Sequence, residues 1–284
     1  MRVCLLVPAP DYPERWDWAY GNQAEALRRV DLVVEPRPWT EPGDVSAFDL
    51  ILPLVAWGYN LEFTRWMALL DQAEREQWRL VNPAPLLRWN SDKTYLAELG
   101  ERGIPTVDTV AVDRLDDPDL AAARSRFATD ELIVKPPISA GAHGTYRLGM
   151  NDVVPDDVAG TRMLVQPFER SIEGTGEWSL LMFDGVLSHA IIKRPKPGDF
   201  RVQPHLGGFD EPCEAPAGSV ELARAALAAA PARATYARVD IIRSGDGALK
   251  IMELELIEPA LFLHHSADRG AAFASAVRDA AAQP

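Results

Sequence analysis

Tyr236–Pro259, YARVDIIRSGDGALKIMELELIEP, sets two β-rich runs, ARVDIIR and ALKIMELELI, on either side of Asp246-Gly247. An Asp-Gly pair between such runs is the strongest local signal for a hairpin with a two-residue type I′ turn. That turn pairs Gly245 with Ala248, and the same register sets Asp240 opposite Glu253. Glu255 lies two residues further along and, by the pleat, on the same face. Three carboxylates then share one patch, and like charges placed opposite each other destabilise a sheet. A cation is therefore expected among them, and an all-oxygen ligand set suits Mg2+ better than a softer ion. Read alone, the ribbon is better taken as a solvated acidic face, because Glu-Leu-Glu-Leu alternation is common on exposed strands, and only the rest of the chain can overturn that reading.

Outward from the ribbon, the N-terminal part alternates strand and helix. RVCLLVP (Arg2–Pro8) is an unbroken apolar run, the mark of a buried parallel strand, and DLVVEPRPW and FDLILPLVAWGYN (Phe48–Asn60) supply two more. Helices are predicted around Ala19–Arg29 and Leu61–Gln77. Open α/β sheets bind ligands at their strand ends. Trp16, Trp18, Trp57 and Tyr59 are thus candidates for a substrate wall or, equally, plain aromatic packing. Pro83–Gly100 reads as a linker, an Asn/Ser cap and a helix, with Lys93 one turn in, where a cation gains nothing from the helix dipole. Beyond it short strands and helices mix, with a second Asp-Gly hairpin at Asp184-Gly185 and Ala-rich helices at Ser219–Ala230 and Ala267–Ala282. The fold class is an α/β N-terminal domain on a parallel sheet followed by α+β, with a boundary near Leu86.

Several groups upstream of the ribbon suit a phosphate. Lys135 ends the apolar strand LIVK, and a buried ammonium without a counter-charge is costly, so it calls for an anion. The loop behind it carries Ser139, Gly141, Gly144 and Thr145, whose backbone N–H groups and hydroxyls can close on phosphate oxygens. It is neither a Walker A sequence nor G-x-G-x-x-G, and a strand running into a simple turn reads the same way. Lys193, Arg194, Lys196, Arg201 and Gln203 make the densest basic stretch, and Arg201 has the fork geometry for a phosphate or carboxylate.

Against this stand 29 basic and 42 acidic side chains in 284 residues, a net charge of −13 that argues against nucleic-acid or anionic-membrane partners. Cys4 and Cys213 form no metal or redox spacing. The start, MRVCLLVPAP, reads as a first strand and no apolar run is long enough to span a bilayer, so a cytoplasmic protein is expected. There is no G-x-S-x-G elbow and no His-x-x-x-His or Glu-x-x-His pattern. His264 and His265 are adjacent, which is expected to point them apart rather than at one ion, and His143 reads as a solvated loop residue.

The order of these pieces over Pro83–Leu263 resembles the ATP-grasp carboxylate–amine ligases, in particular their glutathione synthetase, D-alanine–D-alanine ligase and ribosomal-protein glutamate ligase branches. The resemblance implies a pre-ATP-grasp domain at 1–86, a first ATP-grasp subdomain with the Gly-rich lid at 87–163, and a second with the metal site at 164–284. It implies that Lys93 (in NSDKTYL) and Lys135 (in IVKPP) bind the nucleotide and that Ser139–Thr145 is a lid. Gln166, Pro167, Phe168 and Glu169 fall at the adenine hinge and Glu177 at the ribose position. GDFRVQPHLGG is similar to a glutamate-ligase stretch, which makes Arg201, with Lys193, catalytic towards the transferring phosphoryl group. Asp240, Glu253 and Glu255 fall on the magnesium positions. The implied cofactors are ATP and Mg2+, two ions, with Mn2+ as the alternative. The implied partners are a small-molecule carboxylate and amine, in a superfamily that is often oligomeric. Glu255 and Gln203 each stand where the common pattern has asparagine, and ALFLHH after Pro259 lacks the small residues many relatives set against substrate.

Overall fold

A computed structural model describes residues 1–196, 198–202 and 207–282. The first strand, β1 (Arg2–Val7), is flanked by helix α1 (Asp17–Arg28), β2 (Val33–Pro38) and β3 (Leu50–Leu52), and the three strands form a parallel sheet in the order β2-β1-β3. Helix α2 (Phe63–Arg75) covers one face, and α1 with the C-terminal helix covers the other. The third strand is much shorter than Phe48–Asn60: Pro53 has no N–H for the ladder, and the chain turns there.

Two short helices follow, α3 (Ala84–Asn90) and α4 (Tyr95–Glu101), where one was expected. Ser91 ends α3 instead of starting a longer helix, and Lys93 lies in the turn between them. Strands β4 (Val110–Val112), β5 (Leu132–Lys135), β6 (Tyr146–Leu148) and β7 (Met163–Pro167) build a four-stranded sheet against α5 (Asp117–Phe127). After α6 (Ser171–Gly174), strands β8 (Glu177–Phe183), β9 (Val186–Arg194) and β10 (Phe209–Cys213), helix α7 (Ser219–Ala228), and strands β11 (Tyr236–Arg243) and β12 (Leu249–Glu255) complete the chain before α8 (Ala271–Ala282). The five strands lie antiparallel in the order β10-β9-β8-β11-β12. The expected α/β domain followed by α+β is what the chain forms.

The central sheet sorts its residues by parity. Ala237, Val239 and Ile241 enter an apolar core shared with α4 and α7, so Arg238 and Asp240 face the opposite way. β11 is buried along almost its whole length, which rules out the solvated-ribbon reading. The outer edge of β12 is closed partly by backbone, where Ile251 pairs with Pro105 and Val107 at 2.8 and 2.9 Å, and partly by side chains. Asn90 bonds the Leu254 carbonyl and the Leu256 N–H, each at 2.8 Å, Tyr95 Oη bonds the Leu254 N–H at 2.9 Å, and Asn82 Nδ2 reaches the Leu256 carbonyl at 2.8 Å. No helix of the described residues is long and apolar enough to cross a membrane.

Candidate active site

Asp240 pairs with Glu253 and Arg238 with Glu255 across β11 and β12, so the three carboxylates do share a face. The turn that delivers them differs from expectation. Gly247 N–H bonds the Ser244 carbonyl at 2.8 Å and Ser244 N–H bonds the Ala248 carbonyl at 2.8 Å, with only Gly247 at positive φ, which makes a three-residue loop. A bulge between Asp240 and Ile241 then restores the register that a two-residue turn would have given.

The cation expected among the carboxylates is supplied by the protein. Arg238 forks onto Asp240, Nε to Oδ1 at 3.0 Å and Nη2 to Oδ2 at 2.9 Å, and also bonds Glu255. Lys193 reaches Asp240 at 2.9 Å and pairs with Glu177. Lys93 meets Glu253 at 3.2 Å and donates to the Ser139 carbonyl, so it ties the ribbon to the Gly-rich loop instead of standing in solvent. Lys135 is buried at the end of β5, with Glu253, Lys93 and Glu177 as its charged neighbours. One face of the central sheet thus carries Glu177, Lys193, Asp240, Arg238, Glu253 and Glu255, roofed by Lys93 and Lys135.

Burial and pairing pull these groups in different directions. Burial alone would raise the Asp240 carboxyl, but Arg238 and Lys193 hold it well below the usual range. Glu177 and Glu255 are raised, first by burial, because the cations beside them do not fully compensate. Burial works against the Lys193 ammonium, yet Asp240 and Glu177 keep it raised. Lys135 is lowered by burial, with Glu253 only partly opposing. A polyanion beside Lys135 would remove that penalty.

The remaining predicted residues divide. Ser139 is buried and its Oγ bonds the Pro136 carbonyl at 3.1 Å. Gly141 and Gly144 take positive φ, and a Cβ on Gly144 would stand 2.9 Å from Pro136 Cγ, so the loop requires glycine there. Thr145 closes its turn onto the Ala142 carbonyl at 3.3 Å. Gln166 is buried in β7 with its amide turned to Thr109 Oγ1 at 2.8 Å, and Pro167 pairs with Leu132. Phe168 lies between the Arg147 guanidinium, 3.8 Å from its ring centre, and Phe200, edge-on at 5.8 Å. Glu169 is raised by burial, with Lys250 opposing. Arg201 is engaged by Asp199 of its own loop at 3.0 Å and is not drawn into the acidic cluster. Gln203 lies outside the described residues.

Two groups here escaped the sequence reading. Arg238 is one, although the hairpin register that set Asp240 opposite Glu253 also sets Arg238 opposite Glu255. Glu258 is the other. It is pushed up to about 8 by burial and by Glu255, and its field is felt at Tyr12 and Tyr59 near the ends of β1 and β3. Of the four aromatic candidates, Trp57 stands between Tyr12 and the exposed Trp18, ring centres 6.5 and 5.7 Å away. Tyr59 is buried against Trp66, and Trp16 packs on the N-terminal core.

Residues 4–82 match the family model of the D-cycloserine synthetase DcsG N-terminal domain. Over 275 residues the chain is 32% identical to the cycloserine biosynthesis protein DcsG of Streptomyces lavendulae, covering 90% of this chain and 91% of that one. The crystal structure of D-cycloserine synthetase DcsG superposes with a TM-score of 0.86 at 29% identity, covering 99% of this chain and all of that one. D-alanine–D-alanine ligase from Bacillus anthracis is similar in fold, with a TM-score of 0.71 at 16% identity over 99% of this chain and 97% of that one.

Proposed function

The chain belongs to the ATP-grasp carboxylate–amine ligases, in the family of DcsG, and on that premise we propose that it closes a ring within a small amino-acid-like substrate. It is an ATP-dependent ligase that forms a carbon–nitrogen bond. In our reading the substrate carboxylate attacks the γ-phosphorus, ADP leaves, and a nitrogen of the same molecule displaces phosphate from the acyl phosphate. The product named for DcsG motivates the intramolecular step. The observation that carries the reading is the single face on which Lys93, Lys135, Lys193 and Arg238 converge with four carboxylates.

Lys93 and Lys135 would take the triphosphate, with the Ser139–Thr145 loop closing above it to exclude water. Lys193 and Arg238 would follow the charge of the phosphoryl group in flight, since such transfer depends on positioning and electrostatics and needs no protein nucleophile. Arg201 would join them only after leaving Asp199. Phe168 and its neighbours Gln166, Pro167 and Glu169 would hold the base, and Glu177 the ribose once Lys193 is drawn to phosphate.

The donor set fits a hard divalent ion, because Glu253 and Glu255 keep about a quarter of their side chains exposed while Asp240 is almost fully enclosed by Arg238 and Lys193. Glu253 and Glu255 would hold Mg2+, two ions if Asp240 also turns outward, and the metal would supply neutralisation of the phosphate charge. Glu258 and the Tyr12–Trp57–Trp18 wall would receive the substrate's ammonium, a cation that suits both a carboxylate and aromatic faces. The small-molecule carboxylate and amine, and a cytoplasmic setting that supplies ATP, belong to the same proposal.

ADP release tests it. Single amino-acid-like compounds that carry both a carboxylate and a nucleophilic nitrogen should support turnover alone, with mass spectrometry reporting a product lighter by one water. Added hydroxylamine should divert the acyl phosphate to a hydroxamate. Lys135→Ala and Glu253→Ala should abolish ADP release in folded protein, and wild-type release from either would remove the nucleotide assignment. A requirement for two separate substrates would remove ring closure alone.

A further inference from the structure

His264 and His265 do not diverge as adjacent residues are expected to. Phe262 takes a left-handed backbone conformation, φ 46°, and starts a single 3-10 turn over Leu263–His265. The two imidazole rings stand with centres 4.0 Å apart, on the same side of that turn. From β10, more than fifty residues earlier in the chain, Asp210 reaches His265 Nε2 at 2.7 Å. One potential ligand atom from each of Asp210, His264 and His265 lies within 4.8 Å of the other two. Among the described residues this is the one group of His, Cys, Asp and Glu that close together.

We infer that Asp210, His264 and His265 form a binding site for a divalent transition-metal ion of the zinc type, separate from the carboxylate ribbon. Two imidazole nitrogens and a carboxylate oxygen match borderline ions such as Zn2+ and Co2+, whereas Mg2+ takes oxygens. Three protein ligands leave a coordination position for water or for a substrate nitrogen or oxygen.

The site's place in the sheet gives it a use. Asp210 is the cross-strand partner of Lys193, which is in turn the partner of Glu177. Residues directly opposed across antiparallel strands share a face, so Asp210 stands on the face that carries Lys193 and Asp240, one strand further out. An ion there would fasten β10 to the segment that follows the acidic ribbon, across the sheet from Lys193. The inference does not depend on the ring-closing reaction.

The test uses the full chain, stripped of metal and then held in excess Mg2+ so that oxygen sites are filled. Co2+ should bind at one equivalent with the visible absorption of nitrogen ligation, and Zn2+ should displace it. His264→Ala and His265→Ala should each weaken Zn2+ binding by about tenfold or more, the scale at which even outer-sphere partners act, while Glu253→Gln leaves it unchanged. His264 is exposed, so His264→Ala alone decides the matter if His265→Ala unfolds. The proposal is overturned if wild type takes up no Co2+ under Mg2+, or if His264→Ala binds it with wild-type affinity and spectrum.

Discussion

Arg238 donates to both oxygens of Asp240 and to Glu255 with its guanidinium almost fully buried. Removing one partner of a buried ion pair strands the other, at a cost of about 3–5 kcal/mol. Arg238→Ala is expected to lose stability on that scale in urea denaturation, and Mg2+ should return part of it by taking over Asp240 and Glu255. A loss near zero, with or without Mg2+, would mean the carboxylates are satisfied elsewhere. Glu258 poses the opposite case. Below its raised pKa of about 8 it carries a proton, and an ammonium substrate must displace that proton to bind. KM should therefore fall as pH rises from about 6.5 to about 8.5, the window around that raised value, and Glu258→Gln should flatten the dependence. At this scale the sequence was legible where period-2 geometry fixes a partner, as for Asp240 with Glu253. It was silent on Glu258, whose raised value comes first from burial and then from Glu255, a product of packing that no local pattern shows.

Two hairpins carry the same Asp-Gly pair and turn differently. Asp184 and Gly185 both take positive φ and close a two-residue turn between Phe183 and Val186, as the pair predicts. At Asp246-Gly247 the Asp246 carboxylate instead accepts from Ser244 Oγ and the Ala248 N–H, which favours the longer loop. The register of Asp240 and Glu253 is right because the bulge offsets the extra turn residue, and no local sequence signal announced that bulge. The break between α3 and α4 was equally hidden: Ser91 bonds Trp66 of a separate helix, a contact with no local signature. Close backbone approaches yield a test of the elements. A Cβ on Gly176 would lie 2.4 Å from the Lys193 carbonyl, at φ +90°, so Gly176→Ala should displace Lys193 and cut kcat for ADP release while ATP binding holds. Gly185→Ala meets no neighbouring atom, and its residual φ strain should leave kcat alone.

The whole molecule concentrates its acid–base tension at one face. Glu177 and Glu255 are raised above their unfolded values by burial. In the ligand-free protein the folded state therefore holds protons the unfolded chain has released, and stability falls as pH climbs from the ordinary carboxylate range towards neutrality. Asp240 runs the other way: it is depressed, so its contribution is present above the unfolded carboxylate pKa and is lost only as pH falls well below it. Mg2+ held by Glu255 would relieve that carboxylate. The gain in Tm on adding Mg2+ should thus be larger at pH 8 than at pH 6, as differential scanning calorimetry would show. Equal gains at both would mean that Glu255 is already ionised at pH 6. The order of β and α segments was readable from apolar periodicity, whereas the wrapping of α8 onto the N-terminal sheet was not, since an Ala-rich helix carries little information about its partner.

The closure of β12 has an effect beyond catalysis. A border strand ordinarily offers a template on which a second molecule can extend the sheet. Here the groups that would recruit it are already occupied by the Pro105–Val107 backbone and by Asn82, Asn90 and Tyr95. The protein can therefore keep Glu253 and Glu255 on an outermost strand without offering a seed for fibril growth.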